Sequence, residues 1–284
     1  MFTEFCGIYE KATDWLRLLG RSEIRIKVLM LLIEGTKKMG ELREHLSLPS
    51  PTILHAMRAM EDEGLIKSEK RGYTLTNIGM IQAMAIKDLI ETIAALFENK
   101  KFWLKHDLSG VPYHLLKRIG VLEGCEVVKA TPDDLLKPLS SFVQLSCGAS
   151  ELKGVIPVLY PGHTDMIRSL LEDGAKVELV LSNMVFERVM EGDSEYLDLL
   201  KGKISSKELK LWVSDEDTKV SFSVTDSVLS LFLFLEDGTY DASTELVSYS
   251  DEALKWGREL LSYYIERAKE VELDDINSIY VQII

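Results

Sequence analysis

Residues 40–79 read GELREHLSLPSPTILHAMRAMEDEGLIKSEKRGYTLTNIG, and the order of signals along this stretch decides the N-terminal fold. Residues 40–46 suit a short helix, with Leu42 and Leu46 on one face, and Leu48-Pro49 breaks it. Ser50 is expected as an N-cap with Pro51 at the first helical position, where a missing N–H does no harm. The helix that follows buries Ile53, Met57 and Met60 on one face and stops at Gly64. Residues 65–68 and 72–76 then read as short strands around a charged tip, Glu69-Lys70-Arg71-Gly72. Helix, turn, helix and hairpin in that order make a winged helix-turn-helix.

Upstream, residues 8–20 and 23–33 read as helices, the second capped by Ser22 and stopped near Gly35. Downstream, Asn77 is expected to cap a helix reaching Asn99, with Ile78, Ile81, Ala85, Leu89, Ile93 and Phe97 forming an apolar stripe. Such a long helix either packs back on the winged unit or pairs with a second copy of the chain. Beyond residue 110, strand and helix signals alternate. Strands are expected at 126–128, 154–159, 176–181, 209–213, 220–224 and 228–235, with helices from Thr131-Pro132, over 163–171, in VFERVM and EYLDLLKG, and over 253–268. This pattern predicts an α/β domain with a mixed, mostly parallel sheet, antiparallel around 209–235. The fold class is therefore α+β or α/β with two domains. The expected organisation is a winged helix-turn-helix DNA-binding domain over 1–76, a linker or dimerisation helix over 77–110, and an α/β regulatory domain over 111–284.

The charge is unevenly divided. The chain of 284 residues carries a formal net −13, yet residues 1–110 hold 16 Lys and Arg against 15 Asp and Glu, while residues 111–284 hold 17 against 31. A neutral N-terminal part can show DNA a local basic face, and the acidic part is kept off phosphates. The second helix of the pair must bury one face and send the other into the major groove. Its early turns offer Ser50, Thr52 and His55, with Arg58 one turn on, and no acid stands before Glu61. Lys67, Lys70 and Arg71 in the wing supply cations for backbone phosphates or the minor groove. Thr52 would serve equally as a second cap, and Glu69 weakens the local positive field.

These residues carry a resemblance. The stretch 40–79 resembles the winged helix of the arsenic-repressor-like superfamily, with Thr52, Met60, Glu61, Gly64, Leu65 and Ile66 on its recurring frame. Met60 stands where leucine is usual; Pro51 and Leu54 replace small polar residues, which weakens the case for base contacts there. Residues 102–128, 176–182, 220–241 and 253–268 are similar to the archaeal methanogenesis-regulator family, a likeness running over roughly 20–270. The resemblance implies an archaeal source, a winged helix ahead of an α/β domain, and transcriptional regulation; it supplies no effector.

No phosphate-binding loop, dinucleotide fingerprint, nucleophile elbow or H-E-x-x-H occurs, and no histidine has the lysine two residues on that phospholipase-D-like chemistry needs. The chain therefore reads as no enzyme, with no cofactor or metal expected; Asp215-Glu216-Asp217 reads as a solvated turn. Cys6, Cys125 and Cys147 are far apart and read as reduced, mostly buried thiols. No apolar run approaches the about 20 residues of a membrane helix, and the N-terminus lacks a signal-peptide pattern. A cytoplasmic protein without membrane contact is expected. Its partners would be double-stranded operator DNA, a second copy of itself and a small-molecule effector. Loops beyond strand ends favour ligands, which points to Tyr160, His163, Ser182, Asn183, Thr225, Asp226 and Ser227, with Asp241 and Trp256 as further candidates. A protein-interaction adaptor using the winged helix for protein contacts is the rival reading.

Overall fold

The structure, a computed structural model, describes residues 2–20, 22–160 and 162–276, and the chain divides into two compact units, Met1–Glu91 and Thr92–Ile284.

The first unit begins with α1 (Phe2–Gly20) and α2 (Glu23–Ile33), the latter capped by the Ser22 hydroxyl, which accepts from the Arg25 N–H. Next come α3 (Met39–Leu46) and α4 (Ser50–Asp62). Pro49, not Ser50, is the N-cap of α4. Its backbone is extended and its carbonyl accepts from the Thr52 and Ile53 N–H groups at 3.1 and 3.3 Å, so Ser50 lies inside the helix. Val28, Leu29, Leu32, Leu42, Ile53, Met57 and Met60 form the core of this unit. Each such side chain adds about 1.5–3 kcal/mol of burial energy.

The wing consists of β1 (Ile66–Glu69) and β2 (Gly72–Leu75), antiparallel from Ile66↔Leu75 to Glu69↔Gly72, so Lys70 and Arg71 alone make its turn. Lys37 adds a third rung: its N–H donates to the Tyr73 carbonyl at 3.1 Å and its carbonyl accepts from Tyr73 at 2.9 Å. Gly72 sits at φ 138°, and a Cβ there would strike the Lys37 carbonyl, so the tight approach of wing to loop requires glycine.

Helix α5 (Asn77–Glu98) departs from its expected start. Thr76 caps it, accepting the Gly79 N–H at 3.0 Å while donating to the Gly64 carbonyl at 2.6 Å; Asn77 is already helical. The inward face is made of Gly79, Ala83, Ile86 and Ala95. The large residues of the stripe, Ile78, Ile81, Leu89, Ile93 and Phe97, are exposed, so the stripe does not serve the chain's own core.

The second unit, from Thr92 on, holds the end of α5 and then α6 (Lys100–Lys105). It continues through β3 (His106–Asp107), α7 (Tyr113–Leu116), a 3-10 turn, β4 (Glu126–Lys129) and α8 (Lys137–Ser146). Then come β5 (Glu151–Ile156), α9 (His163–Glu172), β6 (Lys176–Ser182), α10 (Asn183–Met190), α11 (Ser194–Ser205) and β7 (Leu209–Ser214). The unit ends with β8 (Val220–Thr225), β9 (Leu229–Leu235), β10 (Thr244–Ser248), α12 (Asp251–Ile265) and β11 (Lys269–Glu270). The sheet runs β11-β7-β6-β5-β8-β9-β10-β4, with β3 alongside β9.

The sheet is mixed, but not mostly parallel. Among the described residues, only β5-β6 and β6-β7 are parallel pairs and the other pairings are antiparallel. The strand β7 does not pair with β8, because β8 crosses to the far side of β5 and pairs with it antiparallel. Thr131 opens a turn closed by its bonds with Asp134 rather than a helix; α8 starts later, at Lys137-Pro138. Of the cysteines only Cys125 is buried; Cys147 is exposed.

One sheet face packs on α6, α7 and α12 through Phe222, Leu231, Leu246 and Trp256. The other packs on α8, α9, α10 and α11 through Phe142, Leu152, Leu170, Leu179 and Phe232. Side chains alternate across a strand, so where Val220, Phe222 and Val224 of β8 join the first core, Ser221 and Ser223 turn toward the second.

Candidate nucleic-acid interface and sensing site

The outer face of α4 presents Thr52, His55 and Arg58, all exposed, with Ser50 half-buried at its start. Ile53, Ala56, Met57 and Met60 hold the opposite face in the core. The acids Glu61, Asp62 and Glu63 stand at the far end. At 1.5 Å per residue, Asp62 lies about 15 Å along the axis from Thr52, beyond the screening length of about 8 Å in physiological salt. Among the described residues, Arg58, Lys70 and Arg71 make no ion pair. Lys67 differs: its ammonium pairs with Glu69 on the same strand at 2.7 Å, so it gives the wing less free charge than the sequence suggested. Arg43, exposed on α3, is a cation that sequence reasoning missed; its signal was a basic residue on the outer face of the helix preceding the turn.

The residues expected to sense a ligand fall into separate places. Tyr160 and His163 come together, ring centroids 3.5 Å apart, beside Phe142. Ser182 caps α10, accepting the Val185 N–H and donating to the Pro157 carbonyl, and Asn183 donates to Asp215. Thr225, Asp226 and Ser227 lie at the other end of the sheet, because β8 runs antiparallel to β5. There the Thr225 hydroxyl accepts from Ser227 and Val228, and Asp226 accepts from Ser150. Asp241 holds Lys105 at 2.7 Å and His106 at 3.0 Å; burial raises its carboxyl, but Lys105, Ser243 and His106 outweigh this and hold it below the usual range. Trp256 is wholly buried and donates its Nε1–H to the Leu115 carbonyl. These last residues therefore do structural work.

Around Tyr160 and His163 the fold adds groups the sequence did not flag. Phe232 of β9 contacts the rings of Phe142, Tyr160 and Tyr240. On the same sheet face Ser230 donates to Glu245 Oε1 at 2.6 Å. Glu245 is 0% exposed; burial lifts its carboxyl to about 7, against the opposing pull of the Ser230 and Ser141 hydroxyls. Its signal was a lone acid in the otherwise uncharged TELVS segment. Burial also pushes the His163 imidazole down to about 3, so it is neutral.

Glu245 holds its proton more tightly folded than unfolded, so its contribution to stability falls as pH rises from about 4.5 through about 7 and is level above that. The Glu245→Gln variant keeps an acceptor for Ser230 but cannot ionise. Its melting temperature should gain on that of the wild type across this window, as a pH series of thermal melts would show; parallel curves would contradict the assignment.

Residues 13–94 match the N-terminal domain of methanogenesis regulatory protein FilR1, and residues 135–267 match its middle domain. The methanogenesis regulatory protein FilR1 of Methanothrix harundinacea (strain 6Ac) is 28% identical over 265 residues, covering 93% of this chain and 59% of that protein. The chain thus spans less than two thirds of the length of this relative. Among solved structures, TrmBL2, an archaeal chromatin protein with a novel mode of DNA binding, is 16% identical over 92% of this chain and 99% of its own, with a TM-score of 0.41. A phosphatidylserine synthase of Haemophilus influenzae Rd KW20 is 14% identical over 52% of this chain and 39% of its own, with a TM-score of 0.38. Neither structural likeness is high enough to carry an activity across. With two domains of one regulatory protein matched along most of its length, the chain belongs to the methanogenesis regulatory protein family.

Proposed function

We propose that this chain is a transcription regulator that binds double-stranded DNA, with α4 in the major groove and the Lys70-Arg71 tip of the wing on the backbone or in the minor groove. The observation that carries this reading is the exposed, acid-free outer face of α4 in the same small unit as a turn of two unpaired cations. Thr52, His55 and Arg58 reach base edges. The backbone N–H groups at the start of α4 meet a phosphate. Family membership supports the regulatory reading, and a relative named as a regulatory protein agrees with a non-enzymatic role.

The regulator acts as a homodimer. The exposed apolar residues Phe5, Ile8 and Leu16 of α1 and Ile81, Leu89 and Phe97 of α5 support this, since monomers rarely leave such patches open. A two-fold dimer reads two half-sites about 10 bp apart or a multiple of that, so the operator is pseudo-palindromic. The acidic second unit stays off the DNA and senses an effector, which shifts the population of DNA-competent dimers.

Fluorescence anisotropy with promoter fragments of the source genome tests this. Binding should weaken steeply with salt, the log–log slope changing by about 0.9 for each phosphate contact. Lys70→Ala with Arg71→Ala should flatten that slope by up to about 2 per wing. No binding at about 50 mM salt, where phosphate contacts are strong, would instead favour an adaptor that uses the winged unit for protein contacts.

A further inference from the structure

The sheet face that packs on α8 should be apolar throughout, yet beneath β8, β9 and β10 it carries Ser221, Ser223, Ser230 and Glu245, all buried. In the core on the same face His163 packs on Phe142 and Tyr160, 1% exposed, with both ring nitrogens lacking a hydrogen-bond partner among the described residues. The Tyr240 hydroxyl and Glu245 Oε2 likewise have none; the nearby Ser221 and Ser141 hydroxyls favour the charged forms of these groups without completing hydrogen-bond geometry. Ring contacts draw the set together: Phe142 meets His163 and Tyr160, and Phe232 meets Phe142, Tyr160 and Tyr240. A buried polar atom without a partner opposes folding. Four such atoms gathered around one aromatic cluster are groups held ready for an occupant.

The inventory selects the occupant. Glu245 offers one unused acceptor, neutral His163 one donor and one acceptor, and Tyr240 a hydroxyl that does either. No lysine or arginine joins the set, so a carboxylate or phosphate would meet the Glu245 carboxyl with nothing to balance it. Phe142 and Phe232 offer ring faces and edges, which suit a flat partner and a delocalised cation alike. Tyr160 borders the set and also lines an open cleft of about 420 Å³ with Leu159, Thr164, Arg188, Glu191 and Tyr196, where the one cation stands beside an acid and outside the buried set.

We propose that Glu245, His163 and Tyr240, with Phe142 and Phe232, form a ligand site for a small planar nitrogen base whose N–H groups donate to Glu245 and whose ring packs on the phenylalanines. The proposal deepens the sensing role given to the second unit and rests on it for the consequence of binding, but not for binding itself.

The test uses the full chain without DNA. Thermal melts and titration calorimetry with imidazole, adenine and benzamidine as probes, and with benzoate and inorganic phosphate as controls, should show saturable stabilisation by at least one base and by neither anion. Glu245→Gln should weaken that base at least tenfold. Tyr240→Phe, which removes a single hydroxyl from a residue at the edge of the core, should weaken it several-fold with the circular dichroism spectrum unchanged. No binding by any of the three bases, binding of an anion instead, or both variants matching the wild type would overturn the proposal. DNA anisotropy separates the two readings: a chain that binds promoter DNA but no base loses the ligand class alone, and one that binds a base but no DNA loses the regulator reading alone.

Discussion

A chain carrying aspartate at both positions 81 and 89 is expected to sediment as a monomer and to bind its operator at least a hundredfold more weakly than the wild type. Ile81 is 69% exposed and Leu89 58% exposed, on the outer face of α5 that also carries Ile78, Ile93 and Phe97. The two positions lie about 12 Å apart along the helix, long enough to span the centre of a two-fold contact. In an isologous interface each substitution acts twice. Each lost side chain removes about 1.5–3 kcal/mol of burial, and each added carboxylate must be desolvated without a partner. The penalty on operator binding follows from linkage: two joined half-site readers gain about 10²–10⁴ in avidity over one. The same substitutions should leave the monomer folded, because changes at exposed positions away from special features stay within about 0.5 kcal/mol. Analytical ultracentrifugation with and without operator reads both effects. A double variant that remains a dimer would remove the role given to α5.

Gly79→Ala should destabilise the first unit by roughly 3 kcal/mol, against the usual preference of helices. In an open helix, alanine is better than glycine by about 1 kcal/mol. At position 79 a Cβ would overlap the backbone carbonyl of Leu65. That carbonyl accepts the Thr76 N–H at 3.0 Å and ends the α4–β1 connection, so it cannot swing away without breaking the wing's root. Overpacking a close contact costs about 1–3 kcal/mol where side chains can adjust, and backbone adjusts less. Urea denaturation followed by fluorescence reads the effect in the transition reported by Trp15, the sole tryptophan of the first unit, with Trp103, Trp212 and Trp256 reporting the second. Trp15 packs in the first unit with its Nε1–H donated to Gln82 of α5 at 2.5 Å. An unchanged or higher midpoint would mean that the close approach is not rigid.

The winged unit was legible because its signals are local. A proline after a short helix, the charged Lys70-Arg71 tip and the i, i+4, i+7 spacing of Ile53, Met57 and Met60 each act within a few residues. The errors there were in helix starts: α1 begins at Phe2 rather than residue 8, Pro49 caps α4 in place of Ser50, and Thr76 caps α5 in place of Asn77, because the carbonyl or hydroxyl that satisfies a helix start depends on how the preceding chain arrives. The stripe on α5 was readable as apolar, but its direction was not; Gly79 faces inward because the wing's root at Leu65 lies too close for any side chain, and Ala83 is buried with it. The sheet was less legible. The placement of β8 beside β5 rather than β7 is a long-range choice that no local pattern encodes. The strand β10 was missed because the TELVS segment is short and carries a glutamate and a terminal serine. Its Glu245 is the residue that matters at the candidate sensing site, where with Ser230 of β9 it breaks the apolar rule that identifies strands.

The account stands on α4 and the wing tip meeting DNA. Hydrogen–deuterium exchange of the full chain, with and without a promoter fragment that it binds, reads this directly. The account predicts slowed exchange at residues 50–58 and 69–72, with the outer strands of the second unit unchanged. Protection confined to the second unit, with 50–58 exchanging as in the free chain, would contradict it.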